Sequence, residues 1–431
     1  MTIRRVLVFP AGTEVGLEIH QALKSCKDIK LFGAGQATSN HAPFVYEQYR
    51  ELPNILEQNW LPSLIALCHE LNIDYIFPAY DDVIVALAEY AKDIPAVVLA
   101  PSKEISLITR SKSLTYEALS SKVKVPNIYT KQSAKSYPLL VKPDKGQGSQ
   151  GVTVVNNDQE LDDALRLLKE PLISEFLPGE EFTIDCFSDR EKGVLFCGAR
   201  VRLRMRNGIA VHTKIVQLPE ANEIAENINS VLQLHGAWFF QLKRSKNGIL
   251  TLLEVAPRIA GSMSAHRVQG VNFPLLTIFE HERLPIKLMP LNVNIELDRA
   301  LLNRYHTNID FEALYIDLDD TLIFRNQVNL DALHLIYDCI NKGVPVILIT
   351  RHAGNVEETL LRYRLVGVFD EIIHITDGSC KSEKILRDKA IFVDDSFSER
   401  QRVQSKLDIP VFDCSMIEVL INSKPKINTE S

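Results

Sequence analysis

The chain has 431 residues with a globular composition, 46% hydrophobic and 24% charged, and a net charge of −7. This length fits roughly two to four domains, and the acidic balance argues against a general nucleic-acid binder, which usually carries a basic field. The seven cysteines are scattered without a Cys-x-x-Cys pair, and no stretch reaches about 18 apolar residues. We therefore expect a cytoplasmic protein with no nucleic-acid or membrane partner.

Residues 1–100 alternate strand and helix patterns. The apolar runs RRVLVFPA, IKLFGAG, IDYIFPA and AVVLAPS are separated by segments with helical periodicity, such as EVGLEIHQALKSC. This βαβα order predicts a parallel sheet with helices on its faces. Ligands of such sheets bind beyond the carboxyl ends of the strands.

A glycine-rich loop follows in a region of helices and longer hairpins, residues 101–304. The segment PLLVKPDKGQGSQGVTVV has an apolar strand that ends near Lys142, then the glycines, then a second strand. Glycines let backbone N–H groups approach a polyphosphate, and the lysine adds positive charge. The segment lacks the Gly-Lys-Ser/Thr of a Walker motif, and a plain glycine-rich hairpin is the alternative interpretation.

A second hairpin lies in WFFQLKRSKNGILTLLEVAPR. The Asn-Gly dipeptide at 247–248 predicts a two-residue turn that pairs Lys246 with Ile249 and, counted outward, Gln241 with Glu254. Directly opposed side chains share a face with Cβ atoms about 5 Å apart. Their oxygens would then face one point, a candidate metal–nucleotide site. A polar pair facing solvent is the alternative.

Two further segments carry candidate substrate ligands. GARVRLRMRNG has arginines at every second position, which places them on one face of a strand. Arginine suits bidentate recognition of carboxylate or phosphate, although a solvated edge strand is equally compatible with this pattern. We expect Arg200 and Arg202 to line a substrate cleft. RIAGSMSAHRVQG adds Arg258, Gly261 and Ser262 for a substrate carboxylate.

Together these segments resemble an ATP-grasp domain of the carboxylate–amine ligase kind, related to carbamoyl-phosphate synthetase and biotin carboxylase. The resemblance implies a Rossmann-like pre-ATP-grasp domain at 1–100 and an α+β ATP-grasp domain at 101–304, with a flap at about 112–175. It implies ATP and Mg²⁺ as cofactors. It assigns the cleft arginine to Arg258, magnesium ligands to Gln241 and Glu254, and nucleotide contacts to Lys112, Lys142, Gly146, Gly148, Ser149, Gly151, Glu175, Phe176, Leu177 and Glu181.

Two positions depart from this family pattern. Ser111 stands where the family commonly has an aspartate before the first lysine, and Ala256 replaces the asparagine of the Glu-x-Asn-Pro-Arg motif. The second change removes a metal-binding amide. Both changes bear on ligase activity more than on nucleotide binding.

Residues 305–431 return to βα alternation and predict a second, small doubly wound domain. YIDLDDTLI places Asp317 and Asp319 two residues apart at a strand end, where their side chains share a face. Mg²⁺ prefers such oxygen ligands and binds phosphate oxygens, and an aspartate can also act as a nucleophile. An acidic strand tip without a ligand is the alternative.

Three later segments complete this set. VPVILIT ends in Thr350, AIFVDD ends in Asp394 and Asp395, and KSEK offers Lys381 or Lys384. Residues 312–415 thereby resemble the haloacid dehalogenase-like (HAD) phosphohydrolases, with four motifs in order and no space for a large cap. The resemblance implies Asp317 as nucleophile, Asp319 as general acid and base, and Thr350 and one lysine, Lys381 in preference, as phosphoryl ligands. It assigns Mg²⁺ to Asp317, Asp319, Asp394 and Asp395.

The leading hypothesis is a bifunctional enzyme of multidomain α/β fold. Its ATP-grasp part activates a carboxylate as an acyl-phosphate and couples it to an amine, and its HAD-like part hydrolyses a phosphate monoester. The substrates are a small-molecule carboxylate and an amine, with or without a phosphate group, and a homodimer is one compatible state. An ATP-dependent kinase and a nucleotide-sensing module that regulates the phosphatase are the alternatives.

Overall fold

The computed structural model describes residues 3–134, 136–146, 148 and 150–424, and it describes His306, Ser423 and Lys424 by their backbone only. The chain divides into two compact units, residues up to Leu301 and residues from Leu302. This division lies near residue 305, where the sequence predicts the last domain to begin. Among the described residues, no helix combines the length and the apolar character needed to cross a bilayer.

The first unit begins with a parallel five-stranded sheet flanked by helices. Its spatial order is β3-β2-β1-β4-β5. The central strand β1 is the apolar run of RRVLVF, because a strand covered on both faces needs apolar residues throughout. The elements are β1 (Arg4–Phe9), β2 (Ile29–Gly35), β3 (Tyr49–Glu51), β4 (Tyr75–Pro78), β5 (Val97–Val98), α1 (Glu14–Leu23), α2 (Ala42–Val45), α3 (Trp60–Leu71) and α4 (Asp81–Glu89).

The start of α1 requires a glycine at position 16. Thr13 caps this helix, because its hydroxyl accepts a hydrogen bond of 3.0 Å from the backbone N–H of Gly16. A Cβ at position 16 would lie 2.4 Å from the carbonyl oxygen of Ala11. Gly16 is therefore required for the close approach of helix and loop.

The rest of the first unit contains two antiparallel sheets. Their orders are β6-β9-β7-β8 and β14-β13-β10-β11-β12-β15. The elements are α5 (Lys103–Arg110), α6 (Lys112–Leu119), β6 (Ile128–Tyr129), β7 (Leu139–Pro143), β8 (Thr153–Val155), α7 (Asp158–Leu167), β9 (Pro171–Glu175), β10 (Glu181–Asp189), β11 (Gly193–Arg206), β12 (Ile209–Val216), α8 (Glu220–Leu232), β13 (Gly236–Arg244), β14 (Leu250–Ala256), α9 (Ser264–Arg267), α10 (Phe273–His281) and β15 (Glu296–Asp298).

One face of the parallel sheet packs on the six-stranded sheet. Val6 and Val8 of β1 belong to the same buried apolar cluster as Phe239 of β13, Ala256 of β14 and Ile259. Burial of apolar area holds the two sheets together. The carboxyl ends of the parallel strands consequently lie beside the β13–β14 hairpin.

The β13–β14 hairpin has the predicted pairing of Gln241 with Glu254 but not the predicted turn. Gln241 lies opposite Glu254, as the sequence predicts. The predicted two-residue turn is wrong, because the loop has three residues and Ser245 lies opposite Ile249. The register then shifts by one residue next to Gln241, where Leu253 is a β-bulge without a partner. The extra residue at the bulge compensates for the extra residue in the loop, so Gln241 still lies opposite Glu254.

The second unit contains a parallel five-stranded sheet of order β21-β20-β17-β22-β23. When the strands are numbered along the chain within each sheet, this order is 3-2-1-4-5, the same as in the first sheet. The elements are β16 (Tyr305–His306), β17 (Ala313–Ile316), β18 (Ile323–Phe324), β19 (Gln327–Val328), α11 (Leu330–Asn341), β20 (Val346–Thr350), α12 (Val356–Arg362), β21 (Glu371–His374), α13 (Lys381–Lys384), β22 (Ala390–Val393), α14 (Phe397–Leu407), β23 (Val411–Phe412), a 3₁₀ turn (Cys414–Met416), α15 (Ile417–Ile421) and β24 (Ser423–Lys424).

Helix α11 offers a matched test of the packing in the second unit. Leu335 is 1% exposed and belongs to the main apolar cluster, whereas Leu330 on the same helix is 73% exposed. We expect Leu335→Ala to destabilise the second unit by about 2–5 kcal/mol, because it leaves a cavity. Leu330→Ala should change stability by less than about 0.5 kcal/mol. Hydrogen exchange of strand β17 in urea measures both, and equal effects would contradict this packing.

Candidate functional site

A cavity of about 310 Å³ lies between the four-stranded and six-stranded sheets. We call it the lysine cavity, after Lys112 and Lys142 in its wall. Most of the predicted nucleotide ligands meet here: its lining includes Lys112, Lys142, Gly146, Gly148, Glu175, Phe176, Leu177, Glu181, Gln241 and Glu254. Gly151 follows in the same loop but does not line the cavity. Ser149 lies outside the described residues.

Lys142 is held by a chain of hydrogen bonds that begins at the bulge. The Lys142 ammonium donates to the Tyr116 hydroxyl at 2.9 Å, and that hydroxyl donates to the carbonyl oxygen of Leu253 at 2.6 Å. The carbonyl is available because the bulged Leu253 has no partner across the hairpin. Burial, together with the charge of Lys112, lowers the pKa of Lys142 to about 8.

Lys112 and Ser111 connect the start of α6 to the glycine-rich loop. The Lys112 ammonium donates to the carbonyl oxygen of Gly146 at 3.1 Å, and burial lowers its pKa. The Ser111 hydroxyl donates to Asp144 at 2.6 Å and accepts from the backbone N–H of Leu114, so it caps α6. Ser111 thus anchors Lys112 even though it departs from the family pattern.

A second cavity of about 510 Å³ adjoins the first, and we call it the arginine cavity. Arg202, Arg258, Gly261 and Ser262 line it, in agreement with four of the predicted substrate contacts. Both cavities are lined by Gly148, Gln150, Arg202, Gly208, Gln241 and Glu254. These shared residues form the junction of the two cavities.

Arg202 organises the junction. Its guanidinium is paired with Glu181, donates to the side-chain oxygen of Gln241 at 3.0 Å and to the carbonyl oxygen of Gly208 at 2.8 Å. The Nε atom is buried and has no hydrogen-bond partner among the described residues. The other two guanidinium nitrogens, with three partners between them, hold Arg202 at the junction.

Two backbone segments close over the junction. Asn207 and Gly208 form the turn between β11 and β12, both with positive φ, and this turn meets the glycine-rich loop at Gly148. A Cβ at position 208 would lie 1.9 Å from the carbonyl carbon and oxygen of Gly148. Only glycine fits at this contact.

Arg200 does not reach the cleft, contrary to the prediction. It is fully buried, and two of its nitrogens donate to Asp185 at 2.6 and 2.7 Å. The third donates to the Ser262 hydroxyl at 2.8 Å, and His266 contacts the same Asp185. Arg200 can therefore affect the arginine cavity only by orienting Ser262.

The four arginines of β11 also do not share one face. The register of β11 against β12 shifts on both sides of Arg204. Arg204 consequently faces solvent and pairs with Asp298 at 2.9 Å, and Arg206 is exposed. The period-two pattern could not reveal these bulges.

Arg258 forms an ion pair that the sequence does not indicate. Its guanidinium is paired with Asp81, which follows β4 at the amino-terminal end of α4, and lies 5.1 Å from the centre of the Phe239 ring. Burial opposes ionisation of Asp81, but the Arg258 charge outweighs it and lowers the carboxyl pKa. The pair fixes Arg258 in the wall of the arginine cavity.

The second unit gathers carboxylates at the carboxyl edge of its sheet. Asp317 follows β17 and Asp394 follows β22, and together with Asp395 their oxygens lie within 4.8 Å of one another. Lys381 lies between them, with its ammonium 2.5 Å from Asp317 and 2.6 Å from Asp394. Lys384 is instead 3.7 Å from Asp377 at the surface. The structure thus brings Lys381 to the aspartates.

The charges of this cluster oppose one another. Burial, reinforced by the neighbouring charge of Asp394, raises the pKa of Asp317 to about 6. Burial alone would lower the pKa of Lys381, but the two carboxylates outweigh it and raise the pKa. The buried hydroxyl of Thr350 lies at the adjacent end of β20 and accepts a hydrogen bond from the backbone of His352.

Asp319 does not join the carboxylate cluster, contrary to its predicted role as a metal ligand. Its carboxylate contacts the His352 Nδ1 atom at 2.9 and 3.0 Å. The His352 Nε2 atom in turn lies 2.9 Å from the Thr359 hydroxyl. His352 thus orients Asp319, and no motif in the sequence identified this histidine.

The chain is similar to known ATP-grasp and ligase proteins. Residues 168–292 match a family model described as ATP-grasp in the biosynthetic pathway with Ter operon. A D-alanine–D-alanine ligase of Fusobacterium nucleatum is 28% identical over 144 residues, which are 30% of this chain and 50% of that protein. The chain therefore spans about half the length of this curated relative.

Several solved structures share the fold. A biotin carboxylase complex from Campylobacter jejuni has a TM-score of 0.58 at 18% identity, covering 68% of this chain and 74% of that one. An L-amino acid ligase from Bacillus licheniformis has a TM-score of 0.53 at 20% identity, covering 64% and 74%. An N5-carboxyaminoimidazole synthetase from Staphylococcus aureus, complexed with ADP, has a TM-score of 0.55 at 16% identity, covering 67% and 79%. The chain carries an α/β fold of the ATP-grasp type.

Lys142 gives a pH-dependent prediction. Its folded-state pKa of about 8 lies below the ordinary 10.5, so the unfolded chain binds the proton more tightly, and stability should rise between about pH 8 and 10.5. We expect Lys142→Met to stabilise the first unit by about 1–3 kcal/mol at pH 7 and to abolish this rise, because it removes a buried charge.

Urea unfolding at pH 7 and pH 9.5 measures the effect on stability. Lys145→Met is the matched control, because Lys145 lies in the same loop with an exposed side chain. If Lys142→Met lowers the stability and leaves its pH dependence unchanged, the prediction is wrong, because burial then does not lower the pKa of Lys142.

Proposed function

We propose that the first unit is an ATP-dependent carboxylate–amine ligase of the ATP-grasp type. The junction of the two cavities carries this proposal. Lys112 and Lys142 lie in the wall of one cavity and Arg258 in the wall of the other, and both cavities reach Gln241 and Glu254. A nucleotide in the lysine cavity can therefore present its terminal phosphate to an acid in the arginine cavity.

The reaction proposed at the junction has two steps. A carboxylate oxygen of the acid attacks the γ-phosphorus, ADP leaves, and an acyl-phosphate forms. The nitrogen of an amine then attacks the acyl carbon, phosphate leaves, and the amine loses a proton to give an amide. Lys142 and the guanidinium of Arg202 supply positive charge where phosphoryl oxygens would lie. The names of the ligases among the similar proteins support the same chemistry.

The residues at the junction fit Mg²⁺. Glu254 offers a carboxylate and Gln241 an amide oxygen on opposed positions of the hairpin, and Mg²⁺ is commonly bound through one or two carboxylates together with substrate phosphates and water. Ala256 ends β14 without an oxygen ligand in its side chain. Bound Mg²⁺ would neutralise charge on the phosphates, and Glu254 would be its principal protein ligand.

We propose that the second unit is a HAD-type, magnesium-dependent phosphomonoesterase. The side-chain carboxylates of Asp317, Asp394 and Asp395 form an all-oxygen ligand set, which suits this hard cation. Asp317 is the nucleophile, and Asp319, oriented by His352, is the general acid and then the base. Lys381 and Thr350 bind the phosphoryl group.

The ligase activity is tested in Asp317→Asn protein, whose second unit cannot hydrolyse phosphate esters by this route. With ATP, Mg²⁺, a panel of acids and hydroxylamine as the amine, we expect ADP and a hydroxamate in equal amounts. Glu254→Gln should lower this rate about 100-fold or more, because it removes a charge that would hold the metal. ADP formed without any amine, together with a stable phosphorylated product, would favour a kinase, and no ADP with any acid would contradict ligation.

The phosphatase proposal predicts different effects for substitution of Lys381 and of Lys384, the first and last residues of α13. We expect Lys381→Met to lower hydrolysis of p-nitrophenyl phosphate about 100-fold or more, because Lys381 alone reaches Asp317. Lys384→Met, its matched control, should retain most of the activity, because Lys384 contacts only Asp377 at 3.7 Å. Equal losses in two folded variants, checked by circular dichroism, would contradict the assignment.

A further inference from the structure

We propose that the acid substrate of the first unit carries a second anionic group, a carboxylate or a phosphate, and that Arg299 binds this group. The inference rests on the proposed ligase function and adds to it the class of acid. It concerns a residue that follows the last strand of the six-stranded sheet and that no motif in the sequence singled out. The argument depends on the partners of Arg299, its neighbours and its place in the arginine cavity.

The short strand β15 fixes Arg299 at the cavity. Glu296 and Asp298 point to one face, where they pair with His212 at 2.6 Å and with Arg204 at 2.9 Å. Because faces alternate along a strand, Arg299 projects to the other side. Its backbone N–H donates to the carbonyl oxygen of Val211 at 2.8 Å, which continues the strand pairing by one residue.

Arg299 has no acidic partner within reach among the described residues. Of the nearby carboxylates, Glu18 pairs with Arg267 at 2.7 Å and Asp298 pairs with Arg204, whereas Glu14 lines the same cavity without an ion pair to Arg299. The charge of Arg299 acts on Glu18 only over a longer distance. The other two arginines of the cavity are already in ion pairs, Arg202 with Glu181 and Arg258 with Asp81. Arg299 is therefore the arginine of this cavity that forms no ion pair among the described residues.

The position of Arg299 separates it from the reacting centre. Arg299, Gly261 and Ser262 line the arginine cavity but not the lysine cavity, whereas Gln241 and Glu254 line both. The carboxylate that accepts a phosphoryl group must lie at the shared residues. Arg299 therefore contacts a different part of the acid. A guanidinium in a partly enclosed cavity recognises carboxylate or phosphate through charge-assisted, bidentate hydrogen bonds.

Gly261 lies close to both Arg299 and Glu14. A Cβ at position 261 would lie 3.5 Å from the Nη1 atom of Arg299 and 3.0 Å from the Cβ atom of Glu14. Glu14 also lines the cavity and has no ion pair among the described residues. Its negative charge would repel an anion and attract a cationic group. Substitution of Glu14 therefore provides a control of opposite charge beside the same Gly261.

The test compares the binding of monoanionic and dianionic acids to the full chain in the presence of ADP and Mg²⁺. Butyrate is the monoanion, and succinate and 3-phosphonopropionate are the dianions that distinguish a carboxylate from a phosphate group. By calorimetry we expect at least one dianion to bind ten-fold or more tightly than butyrate. Arg299→Gln should remove this preference, a loss of about 10- to 100-fold for the dianion, whereas Glu14→Gln should increase it, because it removes a charge that repels the anion.

Each outcome decides the inference. Equal binding of butyrate and both dianions, no measurable binding of either dianion, or an unchanged preference in Arg299→Gln would overturn it. The ADP and hydroxamate assay with the same acids separates the two proposals. A dianion that binds through Arg299 but yields no ADP would support the anion site and contradict the ligase function.

Discussion

The β-bulge at Leu253 is the constraint on which the first site depends. It places Gln241 opposite Glu254 despite a three-residue hairpin loop, and it leaves the Leu253 carbonyl oxygen free to accept from Tyr116. Tyr116 in turn holds the Lys142 ammonium. One extra residue in a strand therefore aligns the two oxygen-bearing side chains and fixes Lys142 in the wall of the same cavity. Bulges commonly re-aim side chains beside functional sites in this way.

The two units place a lysine in opposite electrostatic environments. Lys142 is buried near another lysine and contacts a neutral hydroxyl, so its pKa is lowered. Lys381 is buried between two aspartates, so its pKa is raised. The first arrangement leaves a positive charge that a polyphosphate would satisfy, and the second already has its counter-charges. Phosphoryl chemistry is compatible with both. A phosphate would neutralise Lys142 in the first unit, and it would compete with the two aspartates for Lys381 in the second.

Much of the fold could be predicted from the sequence, because apolar runs and helical periodicity mark the strands and helices of both parallel sheets. The order of motifs also indicated Asp317, Thr350 and Asp394, since adjacent parallel strands end at one edge. Pairings that depend on local irregularities could not be predicted. The bulges beside Arg204 and Leu253 leave no compositional signal, and the burial of Arg200 depends on Asp185, fifteen positions earlier on a neighbouring strand.

Partners distant in sequence account for the remaining differences. His352 orients Asp319 from 33 positions away, and Asp81 pairs with Arg258 from 177 positions away. Such pairs form only when packing brings separate elements together. A sequence motif consists of residues that are close along the chain, so it does not reveal these pairs. Arg299 belongs to the same group, because its significance comes from neighbours that are engaged elsewhere.

The contact between Gly208 and Gly148 has a kinetic consequence. The two glycines meet through their backbones, so no rotamer change of either residue can separate them. Side-chain rotations take picoseconds to nanoseconds, whereas loop displacements take nanoseconds to microseconds. Separation of the two segments at this contact therefore requires displacement of the main chain of at least one of them, on the slower of these two timescales.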